Sequence, residues 1–277
     1  MYNPIKLYKA VIDIYKNYGD EYVVKTQNGR EGEHEGDGVN IIYDQLRFPA
    51  SIFALRNNTR TDRGKDVMWG RKHNDKEYVE SVVIPKLMNF KYLETLNSNT
   101  VGHGYYQIVK KFGIQDLYNR RFKENRIEKK GLRHIVGAIR ANISRHILLT
   151  HDIWHTVSGY KTNILGEAML QVVTAKHMNY YPARVLAFLL VLKILYQTKD
   201  KSIWKVYKEA KKIAQKSKSE FAFYSPIEFL ESNVEDIRKK FNFPSIPKYN
   251  NFEKRHHNYL TGKSIHPRKK KVVVGKI

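Results

Sequence analysis

Apolar residues recur along this chain at three- and four-residue spacings far more often than they alternate, which predicts helices and few strands. A first helix is expected over residues 4–18, where Tyr8, Val11, Ile12, Tyr15 and Tyr18 form one stripe. Pro4 suits its opening turn and Gly19 its stop. Residues 26–38 (TQNGREGEHEGDG) read as a Gly-rich polar loop, and 57–76 are polar again, with Gly64 and Gly70. Residues 41–55 between them form a short ordered element whose type the pattern leaves open. Residues 76–96 read as a helix that Pro85 kinks or opens. A cleaner core pattern follows. Leu132, Ile135, Val136, Ile139, Ile143 and Ile147 recur at helical spacing and lead directly into His151. The pattern breaks at Ser158-Gly159 and resumes after Thr162 or Asn163, either of which can cap the next helix. Pro182 opens a very apolar helix that runs through Tyr196. Residues 199–216 make a basic amphipathic helix with Ile203, Tyr207, Ala210 and Ala214 on one side. Ser225-Pro226-Ile227-Glu228 is a helix-start signal, with an N-cap Ser, a Pro at the first position and a Glu placed for a capping box. The helix it opens would bury Ile227, Leu230, Val234, Ile237 and Phe241. After Pro244 the pattern dissolves. The expected fold is mainly α, a single multi-helix domain with a lipid or metal site between helices. It divides into an N-terminal helical region (1–95), a core carrying the site (96–243) and a basic flexible tail (244–277).

Composition narrows this further. The 277 residues, 42% of them hydrophobic, suffice for one large domain or two small ones. There is no cysteine, which excludes a disulfide framework and thiolate metal sites and points to an intracellular, cytoplasmic location. The start of the chain lacks signal-peptide and transit-peptide character. The longest strongly apolar stretch, residues 185–192, falls far short of the ~20 residues that a spanning helix needs. A net charge of +23 suggests an anionic partner: nucleic acid, an anionic lipid surface or an acidic protein. Only 16 of the 50 basic residues are Arg, and the chain is rich in Lys, Asn, Ile and Tyr. Part of the charge therefore reflects coding bias, and charge alone does not choose the partner.

The candidate chemistry is concentrated in His151-Asp152-Ile153-Trp154-His155, with Glu167 beyond it: two histidines and two carboxylates within 17 residues. On a helix His151 and His155 share a face, one turn apart, with Asp152 beside them. A turn at 158–163 brings Glu167, in the first turns of the returning helix, back toward the pair. Nitrogen and oxygen donors suit Zn²⁺, Fe²⁺ or Mn²⁺. The neighbours Ile147, Leu148, Leu149, Ile153, Trp154 and Val157 are apolar, so these polar groups are buried and need partners. His151, Asp152, His155 and Glu167 are assigned as ligands, and spacing leaves open which of the four is an outer partner or a base. Arg145 and Lys161 are weaker candidates for contacting a substrate carboxylate. His34, with Glu33, Glu35 and Asp37, is a lesser cation candidate in the Gly-rich loop.

His151-Asp152-x-x-His155-x11-Glu167 resembles the HDxxHx11E signature of the fourth protein of the coenzyme Q (ubiquinone) synthesis set. Thr162-Asn163-Ile164-Leu165-Gly166-Glu167 is similar to that family's Pro-Thr-x-x-x-Gly-Glu. Upstream, Leu96-x-x-x-Thr100-Val101-Gly102-x-x-Tyr105 is similar to its L-P-x-x-T-L-G-x-x-Y, with Asn97 where Pro is usual. Tyr181-Pro182 stands where the family has Leu-Pro, and Phe223-Tyr224 with Glu228 resembles its Tyr-Tyr-Glu-x-x-Trp without the Trp. The family's Arg-Tyr-Arg-Glu before the His-Asp pair is replaced by His146-Ile147-Leu148-Leu149. The resemblance covers about residues 96–241. It implies a helical peripheral membrane protein, on the inner membrane in bacteria. It also implies a divalent metal, Zn or Fe, near the aromatic head group of a polyprenyl quinone precursor, and chemistry at ring carbon C1 (oxidative decarboxylation or hydroxylation). Other quinone-biosynthesis proteins and a second copy of the chain are the implied protein partners.

Two physical features accord with that implication. Val185, Leu186, Phe188, Leu189, Val191 and Leu192 could line a groove for a prenyl tail. Lys205, Lys208, Lys211 and Lys212 could face anionic lipid. Three readings compete: a metal-dependent quinone-biosynthesis enzyme, a non-enzymatic lipid-binding scaffold with a structural metal, and a nucleic-acid binder or HD-type phosphohydrolase. The last would need an earlier His and a later Asp, for which His134 and Asp200 are available. Nucleic acid has only Tyr105, Tyr106 and the basic tail to engage, with no recognised motif.

Overall fold

The computed structural model describes residues 4–17, 58–112 and 132–260, and among these it is helical with no strand. The Gly-rich loop with His34, residues 41–55 and the last 17 residues lie outside the described residues. Helix α1 spans Pro4–Asn17, as the stripe predicts. Helix α2 (Asp62–Trp69) is capped by the Thr61 side chain and ends at Gly70 in the left-handed region. The stretch read as one helix from 76 is several pieces: α3 (Lys76–Tyr78), a π-helical turn Val79–Val83, α4 (Ile84–Met88) and α5 (Phe90–Thr95). Pro85 explains the π turn. A proline ring cannot sit against the carbonyl four residues earlier, so the preceding turn widens, and Ile84 N–H bonds Val79 C=O, five residues back. Asn89 then breaks the path and caps α5 through its side chain.

The core is built from α6 (Val101–Phe112), the 27-residue α7 (Leu132–Ser158), α8 (Ile164–His177), α9 (Tyr181–Thr198) and α10 (Ile203–Lys216). Helix α8 is central. Thirteen of its fourteen residues are buried, with only Lys176 outside, and it packs most extensively on α9 and α10. A helix apolar all round has nowhere else to go. Helix α7 lies against α6 and α2, and α1 packs on α9. Gly104 sets the α6–α7 approach: a Cβ there would stand 2.4 Å from Thr156 Cγ2. The helix expected from Ser225 does not run on to 241. Ser225 N–H does bond Glu228 Oε1, at 2.8 Å, but only one 3₁₀ turn follows, Pro226–Phe229. The carbonyls of Leu230 and Ser232 are taken instead by the N–H groups of Gly102 and Val101, at 2.8 and 2.9 Å, so the helical ladder cannot continue. It restarts as α11 (Val234–Lys240), capped by Asn233. The tail expectation also needs correction over its first part. Pro247–Arg255 and His257–Leu260 form α12 and α13, because Tyr249, Phe252 and Leu260 bury against the core. No described helix is long and apolar enough to cross a membrane.

Candidate metal centre

Helix α7 presents His151 and His155 one turn apart, and the 159–163 loop turns the chain back so that Glu167 meets them from the first turn of α8. Three features shape that loop. Gly159 sits at φ +80, where a side chain would be strained. Asn163 caps α8 by accepting from Gly166 N–H at 2.9 Å. The Lys161 carbonyl lies over the first turn so closely that a Cβ on Gly166 would fall 1.6 Å from it. Helix α12 braces the loop from outside. Tyr249 Oη accepts from Lys161 N–H at 2.9 Å, its ring stacks edge-on with Tyr160, and Glu253 holds the Lys161 ammonium at 2.9 Å.

The donor atoms converge. His151 Nε2 is 3.1 Å from Glu167 Oε2, His155 Nε2 is 3.0 Å from Glu167 Oε1, and the two Nε2 atoms are 3.2 Å apart. His155 Nδ1 donates to the Tyr160 carbonyl at 2.9 Å, and a carbonyl can only accept. That bond puts the neutral imidazole's lone pair on Nε2, where it faces a carboxylate oxygen and a second imidazole nitrogen. The His155 lone pair and the Glu167 oxygen cannot face one another when buried, so that pair requires a shared cation, either a proton or a metal ion. Separations of 3.0–3.2 Å are close to the ~3.3 Å between donors that sit about 2.0–2.1 Å from one tetrahedral ion. The residues present therefore fit a metal. Two imidazole nitrogens and a carboxylate are the donor set of open zinc sites and of the iron(II) facial triad. His155 is 1% exposed and Glu167 12%, while His151 is 20% exposed, so the cluster opens to one side, past His151.

Electrostatics agree. Burial alone would raise the Glu167 carboxyl, but the charges and hydrogen bonds of His151 and His155 outweigh it and hold the group well below the usual carboxylate range. Burial likewise opposes protonation of His151, and the Glu167 carboxylate overcomes it and pushes His151 up. Asp152 is not part of the convergence. It is half-buried beside the pair, and burial, aided by the Glu167 charge, raises its carboxyl.

Other candidates are committed elsewhere. Arg145 bonds Asn142, and Lys161 pairs with Glu253. Asp200 is held by Ser202, Arg255 and His256, and the His134 side chain lies outside what the structure describes. Tyr105 and Tyr106 are buried and not free to stack on bases. In α9, Leu186 and Val191 belong to the core, whereas Phe188 and Leu192 are exposed. The braces Tyr160, Tyr249 and Glu253 went unread in the sequence, since nothing local ties residue 249 to a loop 88 positions earlier.

Comparison with known proteins follows the same lines. A family model described as "Coenzyme Q (ubiquinone) biosynthesis protein Coq4" matches residues 75–247, more than half of the chain. No curated protein matches significantly. The fold is similar to that of a protein from Nostoc punctiforme PCC 73102 named for ubiquinone biosynthesis. The TM-score is 0.53 at 17% identity, over 88% of this chain and 100% of that one.

Proposed function

The chain belongs to the Coq4 family of coenzyme Q (ubiquinone) biosynthesis proteins and has its role in that synthesis; from that premise we propose that His151, His155 and Glu167 hold a divalent metal against the aromatic head group of a polyprenyl precursor. The observation that carries the reading is the convergence of two imidazole Nε2 atoms and both Glu167 carboxylate oxygens within hydrogen-bond range, with His155 and Glu167 buried. When bound, the ion polarises a phenol or carboxylate oxygen and, as iron, also provides for oxygen chemistry at ring carbon C1. The chain's own residues do the rest. Tyr160 C=O fixes the His155 tautomer, and the Asn163 cap sets the start of α8 and hence Glu167. Asp152, next to His151 in the chain and with its carboxyl raised by burial, is the candidate for exchanging a proton with a bound ligand. The precursor reaches this side from a membrane surface, and other proteins of the synthesis or a second copy of the chain dock alongside.

The test is metal content by plasma mass spectrometry on the purified chain beside a His155→Ala, Glu167→Ala double variant. Near-stoichiometric Zn or Fe in the parent and little in the variant is the expected result. No metal in either folded protein, after reloading with Zn²⁺, Fe²⁺ and Mn²⁺, sinks the reading. A redox-active or exchangeable ion favours the enzyme, and a closed, inert zinc favours a lipid-binding scaffold with a structural metal.

A further inference from the structure

On the other side of α8 the structure forms a second concavity that shares no residue with the metal cluster. Val172, Ala175 and Lys176 of α8, Arg184 and Ala187 of α9, and Tyr207, Lys211, Ala214 and Gln215 of α10 line a hollow with about 580 Å³ of empty volume, part of it open to solvent. One alanine from each of three helices makes the floor, so the hollow exists because the side chains at the three-helix junction are small. Its rim is cationic: Lys176, Arg184 and Lys211 come from three different helices, and no Asp or Glu lines it. Among the described residues none of these three cations has a carboxylate partner, although α8, α9 and α10 are otherwise closely packed. Lys211 has only the face of Tyr207, at 5.5 Å. Three unpaired cations converging over an apolar floor are the complement of an anionic group attached to something apolar.

The surroundings identify what carries that group. Tyr181, Phe188, Leu192 and Tyr196 share one side of α9, and all stay exposed, Tyr196 at 58%. Phe188 touches Trp204 (6.2 Å between ring centroids), and Trp204 touches Tyr207 (6.0 Å), so the aromatic ridge runs unbroken into the pocket wall. Aromatic side chains held out to solvent beside Lys and Arg are the composition of a membrane-interface contact. We propose that this hollow binds the phosphate head group of an anionic membrane lipid, with the α9 ridge seated among the adjoining acyl chains. The proposal rests on the membrane part of the functional reading and is independent of the metal.

The test measures binding of the full chain to phosphatidylcholine vesicles containing 30% phosphatidylglycerol, for the parent and two double variants. Arg184→Gln with Lys211→Gln removes two pocket cations. Lys91→Gln with Lys239→Gln removes the same charge from exposed sites outside the lining. At about 1 kcal/mol per interfacial cation, the pocket pair weakens vesicle binding by tenfold or more, and the distant pair by less than about twofold. Equal loss in the two variants, or retention of binding in the pocket variant, overturns the pocket. Absence of parent binding to these vesicles overturns the membrane reading itself. Binding of inorganic phosphate or glycerol 3-phosphate, measured by calorimetry, as tightly as vesicles would reassign the hollow to a free phosphate compound. Metal content stays at the parental level in both variants, which separates this site from the cluster.

Discussion

Substituting Gly166 by Ala is the sharpest perturbation of the 159–163 loop. In an exposed helix the change would stabilise, by roughly 1 kcal/mol of helix propensity. Here the new Cβ would stand 1.6 Å from the Lys161 oxygen and 2.6 Å from its carbonyl carbon, and both are backbone atoms that no rotamer change can move. The loop has to back away from α8. Doing so loosens the Asn163 cap on Gly166 N–H, worth about 1 kcal/mol, and strains well-packed surroundings by a further 1–3 kcal/mol or so. The net effect is a loss of about 1–3 kcal/mol, which lowers the melting temperature by roughly 2–8 °C in a domain of this size. Because Tyr160 moves with the loop, its carbonyl no longer fixes His155, and metal affinity falls about 10–100-fold, as for a lost outer partner. Thermal denaturation of the metal-free protein and a metal titration by competition with a chromophoric chelator read the two effects separately. A variant that melts with the parent and binds metal equally would refute the argument that loop proximity sets the ligand geometry.

Other outcomes follow from the same contacts. Tyr249→Phe removes the acceptor for Lys161 N–H and lowers metal affinity by about tenfold with little change in secondary structure, measured by the same titration; unchanged affinity would mean that α12 does not brace the site. Removing the metal with a chelator lowers the melting temperature, and graded re-addition restores it according to mass action; an indifferent melting temperature would argue against a site in the folded core. His146 and His177 are each pushed down to about 4 by burial, against 6.5 for the free side chain. The unfolded chain therefore binds protons first, so stability is full above about pH 6.5 and declines as pH falls toward 4, by up to about 3 kcal/mol for each. Urea midpoints from pH 7.5 to 4.5 check this, and a His146→Gln, His177→Gln variant with an equally steep decline would place the effect elsewhere.

Much of this was legible before the structure. The 3.6-residue period placed α7 to α10, because long apolar stripes have one solution, and the HDxxHx11E spacing brought His151, His155 and Glu167 together because a five-residue turn between helices constrains where the return begins. Reading failed where distant backbone groups compete with local signals. The capping box at Ser225 formed, yet Gly102 and Val101 took the carbonyls that the next turn needed. The tail looked structureless because Tyr249, Phe252 and Leu260 are widely spaced among charges, and only the groove they fill makes them core residues. Asp152 could not be separated from the ligands by spacing, since adjacent helical positions differ by 100° and only the arrival of α8 decides which side becomes the site.

If the metal cluster and the lipid pocket both hold their proposed ligands, helix α8 ties them into one device. Glu167 and Lys176 are nine residues apart, which on an α-helix is a half-integral number of turns, so they lie on opposite sides of its axis and about 14 Å apart along it. The helix between them is buried on every side and cannot rotate or slide without unpacking the core. A head group held by Lys176, Arg184 and Lys211 would therefore fix the orientation of the cluster relative to the membrane plane. The open side past His151 would then face in one constant direction, and a precursor leaving the bilayer would meet it without a search over orientations. If the two sites act together, the Arg184→Gln, Lys211→Gln variant, which leaves α8 and the cluster untouched, keeps its metal, loses turnover of membrane-embedded precursor and retains it with precursor presented in detergent. Unchanged turnover of membrane-embedded precursor in that variant would show that the sites work separately.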